Sequence, residues 1–373
     1  MTSQIVDKIT GSNKVIVIYG ARQTGKTTLA QEIISQIPYK SLLINADQQK
    51  FLDVLSSRDA NKIKSLVGSN EFLFIDEAQR LPEAGLNLKI IHDELPDLKV
   101  MVTGSSSIDL ASKISEPLTG RKIVYRLFPV CCQELLAINT QFELDESLED
   151  LMIYGAYPEI IQTKAYQEKK MYLEEIGNSY LFKDIFELLN LRNRQKLYDL
   201  LRLLAFQVGS EVSLNELSNS LKMNRETVEN YLKILEETFI IFQLKGFSRN
   251  LRKEVSKMSK CFFYDLGIRN YIINNFSPLS KRNDLGQLWE NFLMVERRKY
   301  LSYSGKTANT FFWRTYTGAE LDYIEEMEGE LSGYEFKWSR KQTRPPQSWI
   351  DTYGATFRCI TRENYLSFVT GSG

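Results

Sequence analysis

"KVIVIYGARQTGKTTLAQEII", residues 14–34, reads as a buried strand, a glycine-bearing loop and the start of a helix, and it decides the fold. After Lys14 the run to Tyr19 is wholly apolar, the pattern of a strand covered on both faces. The loop fits G-x-x-x-x-G-K-[ST] with Gly20, Gly25, Lys26 and Thr27. Gly20 and Gly25 allow backbone geometry that a side chain would block. The amides along Gly20, Ala21, Arg22, Gln23, Thr24 and Gly25, and those of Lys26, Thr27 and Thr28 at the helix start, are expected to face phosphates. Lys26 would reach the β and γ oxygens and Thr27 would give its hydroxyl to a metal. ATP and Mg2+ are the ligands this stretch implies.

A second motif follows. "EFLFIDEAQRL", residues 71–81, places an apolar strand directly before Asp76 and Glu77. Asp76 would hold the magnesium through water, and Glu77 would orient or polarise the attacking water. Further strands at 40–47, 98–107 and 121–130 complete a five-strand α/β pattern with helices between.

The stretches "GARQTGKTTL", "FIDEAQ", "TGSSS" and "LTGR" together resemble a family of bacterial and archaeal AAA-type ATPases whose C-terminal domain has long been of unknown function. The likeness continues through "FPVCCQELL", "YGAYPEII", "YLFKDI", "FFYDLGIRNYI" and "LWENFL", and so covers nearly the whole chain. In "FPVCCQELL" the family usually has Ser-Phe where Cys131 and Cys132 stand, a departure that reads as structural. The resemblance implies a P-loop domain with a parallel sheet and helices on both faces. Ser105 stands where such ATPases keep a polar sensor of the γ-phosphate, and it reads equally as a turn residue. Arg121 is the candidate arginine finger for a neighbouring subunit's nucleotide, which would make the chain a homo-oligomer.

The middle of the chain is helical. Leu197, Leu200, Leu201 and Leu204 recur at helical spacing, and "VSLNELSNSLKMNRETVENYLKILEETFIIFQL" has the form of a helix-turn-helix. Ser213 and Glu216 suit a capping box, Asn224 suits a cap, and Val228, Tyr231, Leu232 and Leu235 form the buried stripe of the second helix. The hydrophobic strand that follows, with the basic stretch Arg249 to Lys257, would be a wing, inside a basic segment that runs over 244–260. Arg225, Lys233, Lys245, Arg249, Arg252 and Lys253 are the candidate DNA contacts, and Lys257 and Lys260 add to the same charge. Glu226, Glu229, Glu236 and Glu237 on the second helix oppose sequence-specific readout, so any DNA would be structured or single-stranded.

The last third runs strand, helix, three strands, helix, strand. That order resembles the PD-(D/E)XK nuclease core, a restriction-endonuclease-like α/β domain. Glu290 falls on the helix, Asp322 on the second strand of a hairpin, and Glu335 and Lys337 share one face of the next strand in "GYEFKWSR". The three carboxylates would hold one or two magnesium ions on a scissile phosphate while Lys337 orients a water. The expected segments are an ATPase domain at 1–137, a helical linker at 138–195, a winged helix at 196–258 and a nuclease-like domain at 259–373.

Composition narrows the chemistry. The 373 residues carry 47 basic and 47 acidic side chains, so no global field draws the chain to nucleic acid or membrane. A single histidine, His92, leaves no ligand set for zinc hydrolysis and no Ser-His-Asp triad. The four cysteines lack zinc or disulfide spacing and are expected as buried thiols. No apolar run is long enough for a membrane span and the start lacks a signal pattern, so the expected location is the cytoplasm. Two functions fit: a DNA-processing ATPase coupled to a nuclease, or a regulatory ATPase whose other domains only bind.

Overall fold

The computed structural model describes residues 1–104, 117–178, 194–248, 259–339 and 343–371. The chain separates into two compact units. The first is Met1–Phe128 with Glu237–Phe239, and the second is Pro129–Glu236 with Ile240–Gly373.

The first unit is a five-stranded sheet in the order β2-β3-β4-β1-β5, with β1 Val15–Tyr19, β2 Ser41–Asn45, β3 Phe72–Asp76, β4 Lys99–Gly104 and β5 Lys122–Arg126. Every pairing is parallel. β1 and β3 are buried at all five positions, whereas the edge strands β2 and β5 are half-open, as the continuous apolar runs of the inner strands require. Helices α1 Thr2–Gly11, α2 Lys26–Gln36, α3 Gln49–Leu55, α4 Ala60–Val67 and α5 Ala84–Glu94 surround the sheet. Ile5 and Ile9 of α1 and Ala30 and Ile33 of α2 pack on Ile16, Ile18, Phe72, Phe74 and Met101.

The second unit opens with four helices, α6 Cys132–Leu136, α7 Gln141–Tyr154, α8 Pro158–Gln162 and α9 Tyr166–Ile176. Next come α10 Arg194–Phe206, β6 Glu211–Val212, α11 Leu214–Leu221, α12 Arg225–Glu237, β7 Ile241–Gly246 and β8 Ser259–Phe263. The four leucines at helical spacing on α10 and the four-residue stripe on α12 are all buried, as are Leu217 and Leu221 on α11. The Ser213 hydroxyl accepts the Glu216 amide at 3.4 Å and Asn224 Oδ1 accepts the Thr227 amide at 2.8 Å, capping both helices.

α13 Leu266–Ile272, α14 Leu285–Tyr303, β9 Asn309–Arg314, β10 Glu320–Met327, β11 Glu330–Phe336, α15 Gln347–Tyr353, β12 Thr356–Ile360 and α16 Tyr365–Thr370 complete the unit. Its sheet is continuous in the order β12-β11-β10-β9-β7-β8-β6. A parallel pairing of β7 with β9, Lys245 opposite Phe311, joins the strands that follow α12 to the C-terminal hairpins. β11 and β12 are also parallel, with α15 as the crossover.

α14 is the spine of this unit. Asn291 is fully buried and exchanges two 2.8 Å hydrogen bonds with the Phe263 backbone, fastening the helix to β8. One turn on, Glu296 accepts the Cys132 amide at 2.6 Å, and Lys299 donates to the Val130 carbonyl at 2.9 Å and to Glu296 at 2.7 Å. Polar groups this deeply buried are tolerated because each has a partner. All four cysteines are free and buried. No helix among the described residues is long and apolar enough to cross a membrane.

Candidate functional site

The loop between β1 and α2 is built from local constraints. A Cβ on Gly20 would lie 2.0 Å from the Leu127 carbonyl oxygen, so only glycine passes there. Gly25 has φ +91°, a left-handed conformation that glycine adopts freely, and it turns the chain into α2. Thr24 closes the loop by donating to the Ala21 carbonyl at 2.9 Å.

Lys26 is buried and folds back over the loop, donating to the carbonyls of Ala21 at 2.7 Å and Gly20 at 3.2 Å. Burial pushes its ammonium down to about 8, against the pull of Glu77 and Asp76. The loop therefore presents a cation short of anionic partners beside a helix N-terminus, an arrangement that a phosphate relieves.

Asp76 lies at the C-terminal end of β3, two strands from β1. The intervening strand, β4, supplies Thr103, whose hydroxyl donates to Asp76 Oδ1. Thr27 donates to Asp76 Oδ2 at 2.9 Å. A hydroxyl and a carboxylate brought together at the phosphate loop are the oxygen donors a hard cation such as Mg2+ takes, so these residues fit that ion. Thr103 is the residue that sequence reasoning missed. The only signal was a polar residue ending an apolar strand two positions before Ser105, and Ser105 itself lies outside the described residues.

Glu77 follows with φ 54° and ψ 42°, left-handed for a non-glycine residue, and Gln79 donates to its Oε2. Such a conformation costs of order 1–3 kcal/mol and persists where the surroundings fix it. It turns Glu77 out of the strand beside Asp76. Arg121 is placed differently: its carbonyl accepts the Val15 amide, so it stands at the N-terminal edge of the sheet. The five-residue strand puts about 16 Å between it and its own phosphate loop. Its Nε donates to Asp93 at 2.8 Å, and Asp93, also touched by His92, is held down to about 2 by those bonds.

The second cluster forms on α14, β8, β10 and β11. Glu290 meets Lys260 of β8 at 3.1 Å, Asp322 accepts the Phe336 amide at 2.7 Å, and Glu335 meets Lys337 at 2.6 Å. Burial raises all three carboxyls above their ordinary values. The Lys260 ammonium opposes this at Glu290 and Asp322, while Asp322 reinforces it at Glu290 and Glu335. Phe336 points into the core between Glu335 and Lys337, as the alternation predicts.

Lys260 differs from its expected place. Counting it with the other cations of the basic segment 244–260 is corrected by its 8% exposure and its carboxylate partner. Flanking Cys261, Phe262 and Phe263, all fully buried, were the available signal. Among the described residues no three acidic, histidine or cysteine side chains gather closely enough to hold a metal ion. In this arrangement Glu290 and Glu335 are each engaged by a lysine.

Arg225, Lys233 and Lys245 are exposed, the first two on α12 and the third on β7. Glu226 and Glu229 are exposed on α12 as well, and Glu236 is turned to Gln243 at 2.8 Å. Arg249, Arg252 and Lys253 lie outside the described residues.

Residues 12–136 match the AAA domain family. The first unit is an α/β fold with a parallel sheet and flanking helices that resembles P-loop AAA-type ATPases. Residues 145–279 and 285–350 match two domains of unknown function, DUF8612 and DUF4143. The chain is 26% identical over 326 residues to an uncharacterized protein of Mycobacterium tuberculosis, covering 87% of this chain and 70% of that one. An uncharacterized protein of Methanocaldococcus jannaschii is 26% identical over 307 residues, covering 77% of this chain and 67% of the relative. Among solved structures, the Walker-type ATPase of Pyrococcus abyssi is similar at 17% identity and a TM-score of 0.47, covering 73% of this chain and 94% of that one. AMPPCP-bound DnaA from Aquifex aeolicus is similar at 18% identity and a TM-score of 0.31, covering 63% and 86%.

Proposed function

We propose that this chain is a Mg2+-dependent ATPase that binds DNA and couples its nucleotide state to a nuclease-like carboxy-terminal unit. The ATP half of the reading rests on one observation: Lys26, Thr27, Asp76 and Thr103 converge at the C-terminal ends of β1, β3 and β4. Lys26 would carry the β and γ charges, Thr27 and Asp76 would hold the ion, and Glu77 would orient the water. Mg2+, when bound, supplies charge neutralisation of the phosphates. Arg121 cannot serve its own loop, which supports a finger acting on a neighbour's nucleotide in a homo-oligomer.

For the second unit, the order α10, β6, α11, α12, β7, β8 supports a winged helix, and α14, β9, β10, β11, α15, β12 supports the PD-(D/E)XK-like core. Exposed Arg225, Lys233 and Lys245 are its candidate contacts to a phosphate backbone. The lysine pairings of Glu290 and Glu335 favour a unit that grips DNA, with ATP as the switch. Cutting is the second reading, supported by the approach of Glu290, Asp322, Glu335 and Lys337 on the elements where such a core keeps its site.

One experiment separates them. Single-stranded, duplex and branched DNA are incubated with Mg2+ or Mn2+, with and without ATP, using the full chain and Asp322→Ala. Binding without cleavage by either protein is expected. Cleavage that disappears in Asp322→Ala would overturn the grip reading in favour of a nuclease. Neither binding nor DNA-stimulated ATP turnover would remove DNA from the proposal.

A further inference from the structure

We propose that a groove between strands β11 and β12 and helices α14 and α16 binds a nucleotide phosphate monoester. It encloses about 500 Å³, within the range of small-ligand sites. Tyr334 and Arg358 sit opposite each other on the two strands and line it. Glu335 is the next residue along and points to the other face of the sheet, so the groove is distinct from the carboxylate cluster.

The charge in the groove is one-sided. Arg297 is consumed by structure: its guanidinium clamps Glu325 at 2.6 and 2.7 Å and donates to the Phe368 carbonyl at 2.6 Å. Among the described residues, the Lys306 ammonium donates to the Tyr300 hydroxyl alone, at 2.8 Å. Lys306 and Arg358 are exposed at the mouth, and among the described residues neither is paired with a carboxylate. Among the described residues, no aspartate or glutamate lines the groove.

Two further features point to a ligand. Thr343 lines the groove, and its hydroxyl oxygen, buried beneath the groove surface, has no hydrogen-bond partner among the described residues, a state that costs about 1–3 kcal/mol. Tyr300, Tyr334, Phe357 and Phe368 line the groove as well; the first, second and fourth are buried, and half-buried Phe357 offers an aromatic edge to a base. Gly371 closes the end at φ +69°, where any Cβ would lie 2.0 Å from the Tyr300 hydroxyl. Two cations without a carboxylate partner among the described residues, beside aromatic side chains, match a dianionic phosphate joined to a base. That chemistry is shared by a free mononucleotide and by the 5′-phosphorylated end of a nucleic acid.

The test uses the full chain carrying Lys26→Ala, which disables the phosphate loop. AMP, adenosine, and a dinucleotide with or without a 5′-phosphate are titrated by calorimetry. A phosphorylated probe is expected to bind at least about tenfold more tightly than its unphosphorylated partner. Arg358→Ala and Lys306→Ala should each weaken it by about tenfold or more, with Arg358→Lys recovering part of the loss. Tighter binding of AMP identifies a free nucleotide, and tighter binding of the phosphorylated dinucleotide identifies a strand end. Absence of millimolar binding by both phosphorylated probes, or binding unchanged in Arg358→Ala and Lys306→Ala, would overturn the proposal.

Discussion

The phosphate loop and the carboxylate cluster on α14 both bury charged side chains, and they solve the problem in opposite ways. Among the described residues, Lys26 has two backbone carbonyls and no ion-pair partner within hydrogen-bonding distance. Glu290 and Glu335 each have a lysine within 3.1 Å. A site held short of counter-charge is poised to take a ligand, because the ligand completes it. A site whose charges are already paired is nearer its own resting minimum, and a ligand must displace something to enter. The phosphate loop thus has the electrostatics of a binding site, and the carboxylate cluster has those of a structure that a ligand would have to rearrange.

That contrast is broken most directly at Lys26. Lys26→Ala should reduce ATP turnover by at least about a thousandfold, since the residue meets the charge that grows on the transferring phosphoryl group. Without nucleotide the variant should be no less stable than the parent. A lysine depressed to about 8 carries a burial penalty of order 1–3 kcal/mol below that pH, and removing it offsets the two lost hydrogen bonds. Loss of turnover together with a fall of many degrees in Tm would mean that Lys26 is a structural residue and the contrast is false.

Lys260 should behave in the reverse sense. Lys260→Met leaves Glu290 buried without its partner, at a cost of about 3 kcal/mol near pH 8, and the double variant with Glu290→Gln should recover most of it. The sign with pH is fixed by the raised carboxyl. Its ionised form is disfavoured in the fold, so the single variant should lose stability as pH rises from the ordinary carboxylate value through the folded one. Denaturant midpoints at pH 6 and pH 8 measure this. Equal midpoints for the single and double variants at both values would show that the pair is incidental.

These two sites also differ in how far the sequence reveals them. The phosphate loop is nine consecutive residues whose roles depend on local backbone geometry, so Gly20, Gly25, Lys26 and Thr27 are legible in one reading. So are the five parallel strands, because two-sided burial leaves continuous apolar runs. Thr103 was not legible, since its value comes from lying between β1 and β3, and strand order is not written in any local pattern. Lys260 was hidden for a related reason. Counted along the chain it belongs to a basic run, and only the pairing of β8 with β7 and the Asn291 clamp bring it to Glu290. The parallel join of β7 to β9 is likewise long-range, formed across 66 residues from Lys245 to Phe311.

The pH dependence of nucleotide binding sharpens the comparison with a smaller effect. Without nucleotide Lys26 loses its proton near pH 8, and a bound phosphate favours the charged form. ATP binding should therefore take up a proton above that pH, and affinity should fall by up to about tenfold per unit. Calorimetry in two buffers of different ionisation enthalpy measures the uptake. Affinity flat from pH 7 to 9.5 would mean that the lysine is not the group that meets the phosphate.

The smallest expected effect is at Arg121. It stands at the opposite edge of the sheet from its own phosphate loop and is bound to Asp93, so Arg121→Ala should change the affinity of an isolated chain for ATP by less than about twofold. The consequence lies in how turnover depends on protein concentration. If Arg121 completes a neighbour's site, turnover per chain rises with concentration in the parent and stays flat in the variant. Asp93→Ala, which frees the guanidinium, should leave that rise intact. A variant with the parent's concentration dependence would put Arg121 outside the catalytic cycle. It would then be one half of a surface ion pair with Asp93, and the first unit would have to supply every charge its phosphate loop needs from within one chain.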